Sequence, residues 1–431
     1  MSMDRISLLP NSILCDILSY LPTKEAVSTS ILSRRWRHVW KDLQVLDTED
    51  IPFLSPRFDS YVTDILSQRS ANYPIKKFRL TCYNSSEDLI VTWLDAVIGP
   101  HLQELYLCYN CINIMKRHKL PESIFTCVSL KSLVLKRFCH LNYEFPNVYL
   151  PSLKNLEFET VSVDPSKLLS GCPVLENLKL ILQSITLEGF HVPTIQMPRT
   201  LKSLTFHDFT GMMEEINVRE IYTPFLEYLH IKTVTSANSK LVSVINFPNM
   251  VEAYLHVCSK DGEHVGWVPV ILQALRETKL LALTYHTTEC LFSAPAFEVP
   301  EFHRLLKLEV DFSCFNTNFL LNFLHNCHVL EALVIFVWKR AYDHPVEYNG
   351  PRPPSMVPNC LTSHLRSFEF GGYRNSTDER EFIACLLQRG LVLKTVTIDP
   401  DSDLDQETKY NIVKGLSAIP RGSPICQLNF I

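Results

Sequence analysis

Leu175-Glu176-Asn177-Leu178-Lys179-Leu180 carries a pattern, L-x-x-L-x-L, that returns as Leu130-Lys131-Ser132-Leu133-Val134-Leu135 and as Leu330-Glu331-Ala332-Leu333-Val334-Ile335. Apolar residues at every second place mark a short strand with one buried face. With any aliphatic residue, Phe or Tyr admitted to the apolar slots, units begin at Ile75, Leu102, Leu130, Leu153, Leu175, Leu201, Leu226, Met250, Leu280, Leu305, Leu330, Leu365 and Leu393, separated by 22 to 35 residues. A unit this small cannot bury its own apolar edge and must stack on its neighbours, so the period predicts a solenoid. The fourth and sixth positions of each unit point inward and the third, fifth and seventh outward. Stacked strands then form one parallel sheet lining a concave surface, and return segments such as 88–97 and 318–324 read as helices covering the outer face. The expected fold class is α/β.

Cysteine placement supports this phasing. Cys127, Cys172 and Cys327 each stand three residues before the first leucine of a strand, in Cys-Val-Ser-Leu, Cys-Pro-Val-Leu and Cys-His-Val-Leu. The 14 cysteines are scattered through apolar runs and read as reduced core residues. Cys108 and Cys111 have C-x-x-C spacing, but no second pair accompanies them, which argues against zinc. Asn110 fills a turn position that Phe138, Val161, Gln183, Phe209 and Trp338 take in other units, so the repeats are degenerate.

Upstream of the repeats, residues 6–43 show helical spacing in three bursts separated by proline and hydroxyl residues. Ile13, Leu14, Ile17, Leu18 and Leu21 follow Leu9-Pro10; Ala26, Val27, Ile31 and Leu32 follow Thr23; Trp36, Val39, Trp40 and Leu43 follow Ser33. About forty residues cannot enclose that much apolar surface, which predicts a face covered by something else. Trp36 and Trp40 are read as holding the helices together. Arg34-Arg35-Trp36-Arg37-His38 is read as the solvated side of the third helix.

Bulk properties exclude several function classes. Forty-one basic and 46 acidic residues give a net charge of −5, no field for gripping a phosphate backbone, so nucleic acid is not an expected partner. Met1-Ser2-Met3-Asp4-Arg5 precedes no long apolar stretch, no run approaches a membrane span of ~18 residues, and residence in the cytoplasm and/or nucleus is expected. On that ground Asn84-Ser85-Ser86 and Asn375-Ser376-Thr377 are chance glycosylation sequons. With 12 glycines in 431 residues and no phosphate loop, HExxH helix or G-x-S-x-G elbow, neither an enzyme nor a cofactor is expected.

The run Asp4 to Pro10, then Ile13-Leu14, Ile17-Leu18, Leu21-Pro22-Thr23-Lys24-Glu25-Ala26-Val27, Ile31-Leu32-Ser33-Arg34-Arg35-Trp36 and Trp40 closely resembles a plant F-box. Residues 357–361, 365–370, Gly372-Tyr373, Glu381-Phe382 and 391–398 are similar to the plant FBD domain, with Arg374 a small departure from its usual glycine. F-box, repeats and FBD in this order resemble the plant F-box/FBD/LRR-repeat family across nearly the whole chain. The resemblance implies an F-box over 1–48, a helical connector over 49–74, leucine-rich repeats over 75–340, a proline-rich loop over 341–356 and an FBD domain over 357–431 that continues the array. It implies that Leu9, Pro10, Ile13, Ile17, Leu18 and Leu21 face a Skp-family adaptor, and through it a cullin scaffold and a RING protein. The chain would then be the substrate-recognition subunit of an SCF-type ubiquitin ligase, its concave face binding an unknown protein target. A small-molecule receptor acting through the same ligase, and a binding scaffold that engages no cullin, stand as alternatives.

One constellation exceeds the family pattern. Successive units place His207, His230, His256 and His286 at outward positions, with Lys232 among them and Glu309 and Asp311 on the next strand. Strands lie about 4.8 Å apart, so His256 and His286 are expected side by side. Such a row can read an acidic partner, bind a small anion or ligate a metal; a solvated face that happens to hold histidines is the plainer reading, since register in degenerate repeats slips easily. The row is assigned to target binding, and no metal is assigned.

Overall fold

The computed structural model describes residues 6–50, 57–83, 85–110, 120–138, 147–161, 165–183, 195–209, 220–235, 243–244, 247–260, 265–295, 297–338, 348, 350–353 and 356–431, in two compact units, 1–193 and 194–431. Cys111, the asparagine of the first sequon, residues 1–5 and most of the proline-rich stretch 341–356 lie outside the described residues.

In the first unit, strands β1 (Val45–Glu49), β2 (Lys77–Tyr83), β3 (Glu104–Asn110), β4 (Ser132–Phe138), β5 (Asn155–Val161) and β6 (Asn177–Gln183) pair in chain order, all parallel. Register puts like on like: Leu46, Phe78, Leu105, Leu133, Leu156 and Leu178 form one buried row. Leu80, Leu107, Leu135, Phe158 and Leu180 form the next. The turn before a strand is built by the backbone, Leu130 N–H donating to Cys127 C=O (3.2 Å) and Leu175 N–H to Cys172 C=O (3.3 Å). Cys172 is buried and its thiol reaches Leu168 C=O at 3.1 Å, the packing role its position in the repeat predicts.

The second unit repeats the plan with β7 (Ser203–Asp208), β9 (Tyr228–Thr235), β11 (Glu252–Ser259), β12 (Leu280–Leu283), β13 (Lys307–Phe312), β14 (Ala332–Val337), β15 (Ser367–Tyr373), β16 (Thr395–Pro400) and β17 (Gln427–Phe430), while β8 (Glu220–Ile221) and β10 (Ser243–Val244) form a separate two-residue ladder. Leu204, Leu229, Ala253, Leu281, Leu308, Leu333, Phe368 and Val396 are its first inward row. Return helices carry side-chain caps that satisfy their first N–H groups: Ser86 for Glu87–Val97, Asn316 for Thr317–His325, Asp405 for Gln406–Ser417, and a full capping box of Ser376 and Glu379 for Thr377–Arg389. The helices expected over 88–97 and 318–324 are the first two of these. Ser376, the middle of the second sequon, is thus committed to a helix cap.

The structure corrects the repeat reading at three places. The first rung is β1, inside the segment assigned to helices and connector, and it pairs with β2. The rung assigned to Leu280 starts two residues earlier: Leu280 pairs with Glu252, a third position, so Thr278 holds the buried opening position of the unit, where other units place a leucine. Threonine serves there because its buried hydroxyl donates to Val251 C=O (3.2 Å) and Leu280 C=O (3.1 Å). Beyond the short β12 the chain turns into a helix, Tyr285–Phe292, that fills the gap between β11 and β13. Thr287 Oγ1 accepts from Val257 N–H (2.9 Å) and donates to Leu255 C=O (2.9 Å), and Thr288 Oγ1 donates to Asp311 C=O (2.9 Å), so the helix replaces missing ladder bonds on both sides. His286 therefore sits on a helix and not on a strand.

Candidate binding faces

The N-terminal helices are Asn11–Leu18, Thr23–Ser28 and Trp36–Val39, the last two prolonged by single 3-10 turns. Their inner faces meet through Leu14, Leu18, Ala26, Trp36, Val39 and Trp40, all buried. Arg35 ties the third helix to the start of the first, its guanidinium donating to Leu9 C=O and to Asn11 Oδ1 at 2.8 Å. Thr23, read from sequence only as a helix start, accepts from Asp47 N–H at 2.7 Å and fastens the second helix to β1.

Of the six residues assigned to an adaptor, Pro10, Ile13, Ile17 and Leu21 are exposed and Leu9 is half-buried. Leu18 is 2% exposed and belongs to the core. Leu14 and Leu18 share one side of the helix and Ile13 and Ile17 another, and with both sides apolar the spacing alone cannot say which turns inward. Exposure also adds residues that sequence reasoning did not assign to this face: Leu8, Leu32 and above all Tyr20 and Ile31, 89% and 88% exposed. Exposed apolar side chains in such number on so small a helical unit are what a partner-binding face would present.

In the second unit the outward positions align across β7, β9 and β11. His207 lies opposite Lys232, and Lys232 opposite His256. His230 is one row away, between Thr205 and Tyr254. The rings meet in pairs, His207 with His230 at 5.0 Å between centroids and His256 with His286 at 5.4 Å, the second contact made by the inset helix instead of the expected strand. Burial, then the Lys232 and His230 charges, lowers the His256 pKa below its ordinary value, so the imidazole is neutral at physiological pH. Lys232 Nζ stands 5.6 Å over the Phe209 ring.

Glu309 and Asp311 end up in different company. Glu309 pairs with Lys307 of its own strand at 2.6 Å. Asp311 accepts the Trp338 indole N–H at 3.1 Å. Among the described residues no three His, Cys, Asp or Glu side chains are grouped to hold a metal ion. Sequence reasoning missed Tyr254, Tyr285 and Phe336 on this face, and noted Trp338 only as a degenerate turn residue. The signal for Tyr254 and Phe336 is the outward alternation itself, whereas Tyr285 opens the inset helix, which alternation does not announce.

Among the described residues no helix is long and apolar enough to cross a membrane. Residues 6–48 match the F-box domain family, 90–258 the leucine-rich repeats described for an FBD-associated F-box protein, and 352–398 the FBD family. Similar chains of Arabidopsis thaliana include the FBD-associated F-box proteins At3g50710, 31% identical with 99% of each chain covered, and At5g56370, 30% identical over 99% of this chain and 100% of its own. The F-box/FBD/LRR-repeat protein At2g26030 is 28% identical with 100% of both chains covered. The chain belongs to the FBD-associated F-box family with leucine-rich repeats, and is an F-box protein that binds other proteins.

Proposed function

We propose that this chain is a non-catalytic substrate-recognition subunit of an SCF-type E3 ubiquitin ligase. The exposed apolar face of the N-terminal helices carries the reading. Ile13, Ile17, Leu21 and Ile31 all stand exposed on one small helical unit, and a Skp-family adaptor is the partner that face suits. Through that adaptor the chain joins a cullin and a RING protein. The outward residues of the repeat sheet then hold a protein target near the ubiquitin-charged enzyme, raising the effective concentration of its lysines without any catalytic group here. The chain works in the cytoplasm and/or nucleus, a setting that suits the free thiols of Cys82, Cys172, Cys327 and the other described cysteines.

The test is reconstitution. The complete chain should co-purify with a Skp adaptor and cullin, and a chain lacking residues 1–48 should not. Cells expressing the shortened chain should accumulate proteins bound to its repeats that are degraded when the complete chain is present. Recovery of the cullin with the shortened chain would remove the reading.

A further inference from the structure

On the open face of the second unit, the outward row that begins with histidines and lysine ends in a different chemistry. Asp311 is flanked by the inset helix on one side and by Phe336, its register partner on β14, on the other. Trp338, 47% exposed, hangs beside it with its ring 4.6 Å from Phe336 and 6.4 Å from Tyr285, centroid to centroid. Gly371, next in the row, has no side chain because a Cβ there would overlap the Phe336 ring. The result is one half-buried carboxylate among three aromatic rings. Its only side-chain partner among the described residues is the neutral indole N–H, and burial, with Glu309 adding to it, lifts the Asp311 pKa above the usual carboxylate value.

The same indole forms one wall of a cleft of about 340 Å³ just beyond the strand ends, lined also by Cys314, Phe315, Arg374 and Asp378. Its cation is already used: Arg374 holds Asp401 through Nη2 at 2.6 Å and Nε at 2.7 Å. Glu379 is likewise committed, accepting the N–H groups of Arg374 (3.1 Å) and Ser376 (2.9 Å) in the helix cap. Burial, then the Glu379 and Asp378 charges, raises the Cys314 thiol pKa.

An exposed indole beside a carboxylate that has no cationic partner among the described residues is complementary to a cation with an apolar or planar body. The geometry points to Trp338, Tyr285, Phe336 and Asp311 as the site that takes a basic side chain of the protein target, an arginine by preference. This assignment rests on the target-recognition reading above and deepens it. A planar guanidinium stacks on the indole while donating in its own plane to the carboxylate; a lysine ammonium pairs with the carboxylate but stacks less well. Pairing also removes the cost of burying Asp311 alone, so the bound state gains from both partners. Tryptophan, tyrosine and arginine are the residues that dominate interface energetics, and three such groups would meet here.

The test uses a random dodecapeptide library panned on the complete chain, followed by affinity measurements on a selected peptide. Selected sequences should share an arginine or lysine, and the affinity should fall at least tenfold for Asp311→Asn, which keeps an oxygen for the indole N–H and so preserves the fold. It should also fall for Trp338→Ala, less for Trp338→Phe, and at least tenfold when the peptide arginine is replaced by citrulline. Glu369→Gln, on the same face of β15, should change nothing. An empty selection, a consensus without a basic residue, or Asp311→Asn binding as tightly as the native chain overturns the site. Peptides lacking a cation whose binding is lost with His207→Ala or His256→Ala would leave the target-recognition reading standing and remove this site alone.

Discussion

His256 and His286 face each other with ring centroids 5.4 Å apart, one on a strand and the other on the helix that takes over where the neighbouring strand stops. Burial costs His256 part of its hydration, and Lys232 and His230 stand near enough to oppose its protonation.

The consequence is a pH dependence of known sign. The folded value of His256 lies below the ordinary value of 6.5, so the unfolded chain takes up this proton first as pH falls. The stability it contributes is complete above that ordinary value and is lost as pH falls through the folded one. His256→Gln should flatten the decline of apparent melting temperature between roughly pH 7 and 5, the range in which histidine titrates. An unchanged slope in that variant would assign the acid sensitivity to other groups.

The N-terminal helices should separate binding from folding along a single turn. Ile17→Asp places a charge on the exposed face and should abolish capture of the Skp adaptor with little change in melting. Leu18→Ala empties a core site and should cost about 2–5 kcal/mol, read as a lowered melting temperature, while adaptor binding by the surviving folded fraction persists. The opposite pattern would reverse the two faces of the helix.

Gly371→Ala pushes a methyl group into the Phe336 ring. Overpacking of this kind should cost about 1–3 kcal/mol and turn Phe336 away from Trp338. Denaturant unfolding reads the first effect and the emission of Trp338, isolated by a Trp338→Phe control, the second.

Removing the cap hydroxyl with Ser376→Ala should cost about 1 kcal/mol, because Glu379 N–H loses its acceptor at the head of Thr377–Arg389. Ser376→Asp should restore most of it, and amide exchange at the first turn of that helix reports both.

The repeats were largely legible because leucine at fixed offsets is a strong signal, and wherever a unit opens with an aliphatic residue, as at Leu130, Leu175 or Leu305, the register follows. Legibility failed where another residue met the same physical need. Thr278 fills a leucine slot by bonding its hydroxyl to two carbonyls, so alternation alone begins that rung at Leu280 and carries His286 onto a strand that does not exist. β1 was hidden because Val45–Glu49 follows the helices so closely that its alternation reads as their tail. Leu18 was misassigned because a helix apolar on two sides carries no mark of which side is inside. Trp338 and Asp311 lie 27 residues apart, and only the pairing of β13 with β14 brings them together.

In-register stacking also has a hereditary consequence. Each outward residue touches little beyond its own rung and the two beside it, as His207, Lys232 and His256 do across β7, β9 and β11. The open face is therefore composed like movable type: one character can be reset while the buried leucine rows that hold the line are left alone. What the open face binds can thus be altered letter by letter while the core beneath it stays as it is.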